Sequence, residues 1–283
     1  MRSMPALLAC LLAVAGCDRP LPERAAVMQE GVGRVQVDVR ANGTDLIPVT
    51  LLVPATAEGA LRGEGRLPAV VYVHGGAVSP ARYEWQAVEL ARRGLVVALP
   101  RHPNDLAFFG IDFGRAARRL LVESGEGLLA GRVDASRVAV MGHSLGGVVA
   151  VKLALGGGFQ AVVVQASFPD PADDARLASL TVPTLFLAGQ GDCQAREAQV
   201  RAGWEKMASP SALAVLEGVT HFQFTDSDAD DVRRGCPPVT PLADAHARIT
   251  EASAAFLEAA FAQPPGTGEA TLRRITGATV EAR

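Results

Sequence analysis

Ser144 is the residue whose surroundings point most directly to chemistry. It sits in Gly142-His143-Ser144-Leu145-Gly146, between two apolar runs, in the stretch VAVMGHSLGGVVAV over residues 138–151. A serine hydroxyl is a weak nucleophile. It attacks when a neighbouring base takes its proton, and the base needs a carboxylate to fix its tautomer and stabilise its cation. Five histidines compete for the role of base. His143 adjoins Ser144, so its side chain is expected to point away from the hydroxyl. His246 falls inside an expected helix, where packing or solvation is the ordinary role. His221 lies in a loop just past an expected strand, and His74 and His102 precede Ser144. Two carboxylates follow expected strands: Asp192 on the glycine turn Gly189-Gln190-Gly191, and Asp170 before Pro171. Asp226, Asp228 and Asp230 alternate as in a calcium loop. However, its sixth position is Asp231 where glycine is needed and its twelfth is Pro237, so a solvated acidic loop is expected and no metal site.

These groups need elements to hold them. The run over 137–141 is apolar and reads as a buried strand, with a helix over 145–155 leaving the turn at Ser144. Gly142 and Gly146 flank Ser144 where any side chain would clash as strand and helix close up. The helix N-terminus then faces the hydroxyl, so negative charge developing there meets backbone N–H groups and the positive end of the dipole. Alternation over 33–39, the turn signal Asn42-Gly43 and the run over 46–53 predict an antiparallel pair, with Pro48 placing the second strand near an edge or a bulge. Buried strands are expected over 69–73, 95–99, 161–165, 184–188 and 212–216. Helices are expected over 81–93, 111–123, 195–207 and 242–261. This alternation predicts a mainly parallel sheet with function at the carboxyl ends of its strands. A polar, loosely packed tail is expected over 264–283.

The strand, GHSLG turn and helix together resemble the α/β-hydrolase superfamily, and the resemblance extends over nearly all of residues 31–262. It implies an α/β-hydrolase fold: a mainly parallel central sheet with an antiparallel start, helices on both faces and no large cap domain. The order it implies is serine, acid, histidine, which disfavours His74 and His102 as the base. Carried onto this chain, Ser144 is the nucleophile, His221 the base and Asp192 the acid, with Asp170 the alternative acid because some members place it one strand earlier. The oxyanion donors implied are the N–H of Leu145 and, from His74-Gly75-Gly76-Ala77, that of Gly76 or Ala77. His102, Phe108 and Phe222 border the expected site and are candidate substrate contacts. THFQFTD and GQGDC look most like the dienelactone-hydrolase, chlorophyllase and platelet-activating-factor-acetylhydrolase-like group, which includes secreted polyester hydrolases. Dienelactone hydrolase itself uses a cysteine where this chain has Ser144, so its lactone substrate is not carried over. Only residues 166–183 stand where many lipases insert a lid, which predicts an open site.

The termini and cysteines address location. Arg2, the short apolar run over 6–15 and Val14-Ala15-Gly16-Cys17 resemble a bacterial lipoprotein signal, with 1–16 removed and Cys17 lipidated; an ordinary secretory signal is the alternative. Residues 17–30 then read as a tether to a domain over 31–263. Export would put the protein in the cell envelope, lipid-anchored and outside the cytoplasm, on a periplasmic or extracellular face. Of four cysteines, Cys10 falls in the signal and Cys17 carries lipid, which leaves Cys193 and Cys236 for one disulfide or two buried thiols. A net charge of −3 gives no reason to expect a nucleic-acid partner. No cofactor is implied. The expected activity is hydrolysis of carboxylic esters, small-molecule or polymeric, through an acyl-enzyme. An acyltransferase using the same three residues and a non-catalytic envelope binding protein are the alternatives.

Overall fold

A computed structural model describes residues 21–29, 31–41, 45–102 and 107–283. The signal segment and Cys17 therefore lie outside the described residues. The chain runs β1 (Ala26–Gln29), β2 (Val32–Arg40), β3 (Leu46–Pro54), β4 (Leu67–Val73), α1 (Glu84–Arg92), β5 (Val96–Pro100) and α2 (Ala107–Glu123). It continues through β6 (Val133–His143), α3 (Leu145–Leu155), β7 (Ala161–Gln165), α4 (Asp174–Leu177), β8 (Thr184–Gly189), α5 (Glu197–Trp204) and β9 (Ser211–Leu216). It ends with α6 (Ala229–Arg233), α7 (Leu242–Ala260), α8 (Glu269–Leu272) and β10 (Ala278–Ala282). One sheet of ten strands results, ordered β1-β2-β3-β5-β4-β6-β7-β8-β9-β10. The block from β5 to β9 is parallel, the strands up to β3 are antiparallel, and β10 pairs antiparallel with β9.

The central strands are apolar on both sides because both sides are covered. Successive residues alternate between two cores. Val71, Val140, Val164 and Phe186 face one, with Phe113, Val149 and Trp204 from α2, α3 and α5. Tyr72, Met141, Val163 and Leu187 face the other, with Ala87, Ile249 and Phe256 from α1 and α7. The second core also holds a closed polar cluster. Tyr72 Oη lies 2.9 Å from Gln86 Oε1 and 2.5 Å from Gln165 Oε1, and Gln86 Nε2 donates to Ser253 Oγ at 3.0 Å. α3 is apolar nearly all round and packs between β6, β7 and α2.

Three expectations change. Pro48 lies in an interior strand, paired with Asp38 of β2. Its carbonyl accepts from Arg101 N–H at 2.9 Å, so its missing N–H would face the same side, just past the end of β5. Residues 21–29 belong to the domain and are not tether: Leu21 and Ala25 are buried, Ala25 N–H donates to Gly59 O at 2.8 Å, and β1 pairs with β2. Nor is the tail loose. α8 and β10 close the sheet's far edge with Leu272, Ile275 and Val280 buried, and the Arg283 guanidinium lies 4.5 Å over the Trp204 ring. The strand has one buried apolar side chain among five residues, too short a pattern to register without its partner.

Removing residues 277–283 should therefore destabilise the protein. Burial of a valine contributes about 1.5–3 kcal/mol and each ladder hydrogen bond about 0.5–1.5 kcal/mol. A fall in the urea midpoint of the truncated protein is expected, and an unchanged midpoint would show that β10 contributes nothing.

Candidate active site

The turn between β6 and α3 is built by close backbone approach. A Cβ on Gly142 would stand 2.0 Å from Gly146 O, and one on Gly146 would stand 2.2 Å from Val73 O. Only glycine fits at either place. Ser144 between them has φ 53° and ψ −124°, a conformation that costs a side-chain-bearing residue energy and persists because its surroundings over-determine it. Its N–H donates to Gln165 O at 2.9 Å. The hydroxyl is thereby held at the carboxyl ends of the central strands.

The structure brings His221 and Asp192 to Ser144. His221 Nε2 lies 3.0 Å from Ser144 Oγ, and His221 Nδ1 lies 2.8 Å from Asp192 Oδ2. Asp192 Oδ1 accepts from the N–H groups of Gln194 and Ala195 at 2.7 and 2.9 Å. Both side chains are nearly sealed, at 0 % exposure for Asp192 and 5 % for His221. An ionised Asp192 can only accept, so it places the imidazole proton on Nδ1 and leaves Nε2 free to accept from the serine hydroxyl. Asp170 is engaged elsewhere: it caps the turn at Pro171 and pairs with Lys152 Nζ at 2.9 Å, and that hydrogen bond holds its carboxyl below the usual range.

The two partner loops are tied together. Cys193, next to Asp192, forms a disulfide with Cys236, 43 residues on. Closing a loop of that length stabilises the fold by about 4 kcal/mol in the chain-entropy account. Asp231, which sequence reasoning passed over as a misfit in a calcium pattern, turns inward and is 1 % exposed. Its Oδ2 accepts from Thr220 Oγ1 at 2.7 Å and from Phe222 N–H at 2.8 Å, one residue to either side of His221. Burial raises its pKa, against these two hydrogen bonds. The rest of the acidic run clamps Arg82, which meets Asp226 Oδ1 at 2.7 Å and Asp230 Oδ2 at 2.8 Å. It is a fastening more than a solvated loop.

The His74-Gly75-Gly76-Ala77 loop lies beside the turn. A Cβ on Gly76 would stand 3.3 Å from Leu145 Cδ2, and Ala77 has φ 53°. Gly75 N–H donates to Tyr83 Oη at 3.0 Å. His102 is 4 % exposed and stacks on His74 with centroids 3.6 Å apart, and its N–H donates to His74 Nε2 at 3.3 Å. It supports the loop from below. Phe222 packs edge-on against His221 at 5.2 Å under the Arg234 guanidinium. Phe108 falls in the first turn of α2, with its side chain outside the described residues.

Three histidines are held neutral by burial. His74 is pushed down to about 3, by burial first and then by its neighbour His102. His143 is pushed well below its usual value by burial and by His221, and His246 is lowered by burial.

A turn that presents a serine, hydrogen-bonded to a histidine that is hydrogen-bonded to a buried aspartate, lies at the carboxyl edge of a doubly covered parallel sheet, where α/β folds carry their functional groups. Residues 69–231, more than half of the 283-residue chain, match the model of the alpha/beta hydrolase family, and the chain belongs to that family. The matched span contains Ser144, Asp192 and His221, and the family is generally hydrolytic. No curated protein matches the chain.

Asp231→Ala should leave two buried donors unsatisfied, at about 1–3 kcal/mol each. A stability loss on the order of 2–5 kcal/mol in urea is expected, with a smaller loss for Asp231→Asn; equal stability of all three proteins would show the contacts to be idle. For the histidines, the folded pKa lies below the unfolded value near 6.5, so the unfolded chain binds more protons in acid. Stability should be full above about pH 6.5 and fall below it, by up to about 1.4 kcal/mol per pH unit for each of His74 and His143. Thermal midpoints from pH 8 to 5 would show this as a decline that begins above the carboxylate range.

Proposed function

We propose that this protein is a serine hydrolase that cleaves carboxylic esters through an acyl-enzyme. The observation that carries the reading is the unbroken hydrogen-bond chain Ser144 Oγ to His221 Nε2 at 3.0 Å and His221 Nδ1 to Asp192 at 2.8 Å. In this scheme Ser144 Oγ attacks the ester carbonyl as His221 takes its proton. The tetrahedral oxyanion lies against the N–H of Leu145 at the start of α3 and that of Gly76 or Ala77. His221 then protonates the leaving alkoxide, and Asp192 stabilises the imidazolium throughout. Water enters and attacks the acyl carbon as His221 takes its proton; the tetrahedral intermediate then expels Ser144 Oγ, which takes that proton back from His221 as the acid leaves. With an acceptor alcohol in place of water the same steps would make an acyltransferase.

The site is read as open. Between β7 and β8 the chain carries only a short turn and the four residues of α4, which favours accessible or bulky esters over a sealed chamber. THFQFTD and GQGDC favour the dienelactone-hydrolase, chlorophyllase and platelet-activating-factor-acetylhydrolase-like group. The lipoprotein-like N-terminus favours an exported protein anchored through Cys17 in the cell envelope, where the Cys193–Cys236 disulfide would persist.

A fluorophosphonate probe should label Ser144 in the folded protein, and Ser144→Ala should abolish both labelling and ester turnover. Asp192→Asn should lower kcat by about 10³–10⁴ through the wrong tautomer of His221. Absence of labelling would leave a binding protein of the same fold, and product that rises only with added alcohol would make it a transferase. Radiolabelled palmitate should be incorporated into the parent protein and not into Cys17→Ser; equal incorporation would remove the anchor.

A further inference from the structure

His143 and Tyr83 are both fully buried and have no part in the scheme above. His143 is the last residue of β6, immediately before Ser144. There its Nε2 lies 3.1 Å from the backbone oxygen of His221, and its Nδ1 lies 2.9 Å from Tyr83 Oη. Tyr83 Oη in turn accepts from Gly75 N–H at 3.0 Å.

The direction of every bond follows from chemistry. A carbonyl oxygen only accepts, so His143 carries its proton on Nε2. Nδ1 is then a bare lone pair, and the Tyr83 hydroxyl must donate to it. The tyrosine oxygen keeps a lone pair for Gly75 N–H. The fit is tight: a Cβ on Gly75 would stand 2.9 Å from Tyr83 Oη and 3.1 Å from His143 Nδ1.

We propose that Tyr83 and His143 are positioning residues, a relay that holds the loop of the base and the loop of the oxyanion in register across the nucleophile turn. The proposal rests on the serine-hydrolase reading for its kinetic consequence. One end of the relay fixes the main chain of His221. The other takes up Gly75 N–H, so that the loop presents Gly76 and Ala77 to the oxyanion. The relay works only while His143 is uncharged. The groups that face it are Tyr83, the His221 ring at 4.7 Å and the more distant Arg82. Burial is the first cause that favours the neutral ring, and the Arg82 guanidinium adds to it. When His221 becomes an imidazolium during turnover, a neutral His143 therefore places no like charge beside it.

The test compares His143→Leu, His143→Gln and Tyr83→Phe with the parent protein on an aryl acetate, with ¹⁵N NMR of histidine-labelled parent alongside. Glutamine can still donate to His221 O and accept from Tyr83, whereas leucine can do neither. A misplacement near 1 Å in a reacting group costs about 10²-fold in rate. His143→Leu should therefore lose about 10–100-fold in kcat with KM unchanged, Tyr83→Phe about 10-fold, and His143→Gln should recover most of the loss. NMR should show His143 protonated on Nε2 and untitrated from pH 5 to 8. Wild-type kcat in folded His143→Leu, glutamine no better than leucine, or a loss confined to KM would overturn the relay. An Nδ1 proton or a titration in that range would overturn it without reference to activity. Should the parent neither label nor turn over ester, the hydrolase reading fails, and the tautomer alone decides the relay. If His143→Leu does not fold, Tyr83→Phe carries the kinetic comparison.

Discussion

The first turn of α3 lies directly against main chain, with no side chain between. Gly146 touches the carbonyls of Val73 and His74, and Gly142 touches that of Gly146. This contact makes the helix start at the ends of β4 and β6, where the sheet offers an open edge. It also puts Ser144 into a conformation that non-glycine residues avoid, with its N–H bound to Gln165. A larger residue at either glycine would lift the helix away, and with it both the hydroxyl and the Leu145 N–H. Nothing else at the site is worth positioning unless this contact holds.

The remaining groups come from loops, which have little rigidity of their own. Here they are fastened by bonds of different kinds. The disulfide joins the Asp192 loop to the chain beyond His221. Asp231 grips Thr220 and Phe222 on either side of His221. Arg82 reaches from just before α1 to Asp226, Asp230 and Thr225, and so connects the histidine loop to the glycine loop's side of the sheet. Beneath the turn, Tyr72, Gln86, Gln165 and Ser253 satisfy one another in the apolar interior. Buried polar groups lose solvation, and they stabilise a single arrangement only when fully paired. Gln165 belongs to both systems, since its main chain holds Ser144 and its side chain closes the cluster below.

Local pattern carries far in this chain, and then stops. Periodicity exposed the buried strands and most helices, because each strand of a doubly covered sheet is itself a short apolar run. It missed β10, whose residues gain meaning only opposite β9. It also missed the packing of Leu21 and Ala25, because the first residues of a charged, proline-containing stretch look like a linker until a surface is seen to receive them.

By itself the sequence determined the turn at Ser144, since a glycine two residues to each side records a steric requirement in the chain. It determined the fold class through the order of its apolar runs, and the catalytic candidates through their places after strands. Tertiary structure decided that Asp192, and not Asp170, reaches His221, because that contact depends on elements far apart in sequence coming side by side. It also decided what Asp231, Arg82, Tyr83 and His143 do. Those roles are hydrogen bonds across 8 to 148 residues of chain, between residues that no helical or strand period brings together.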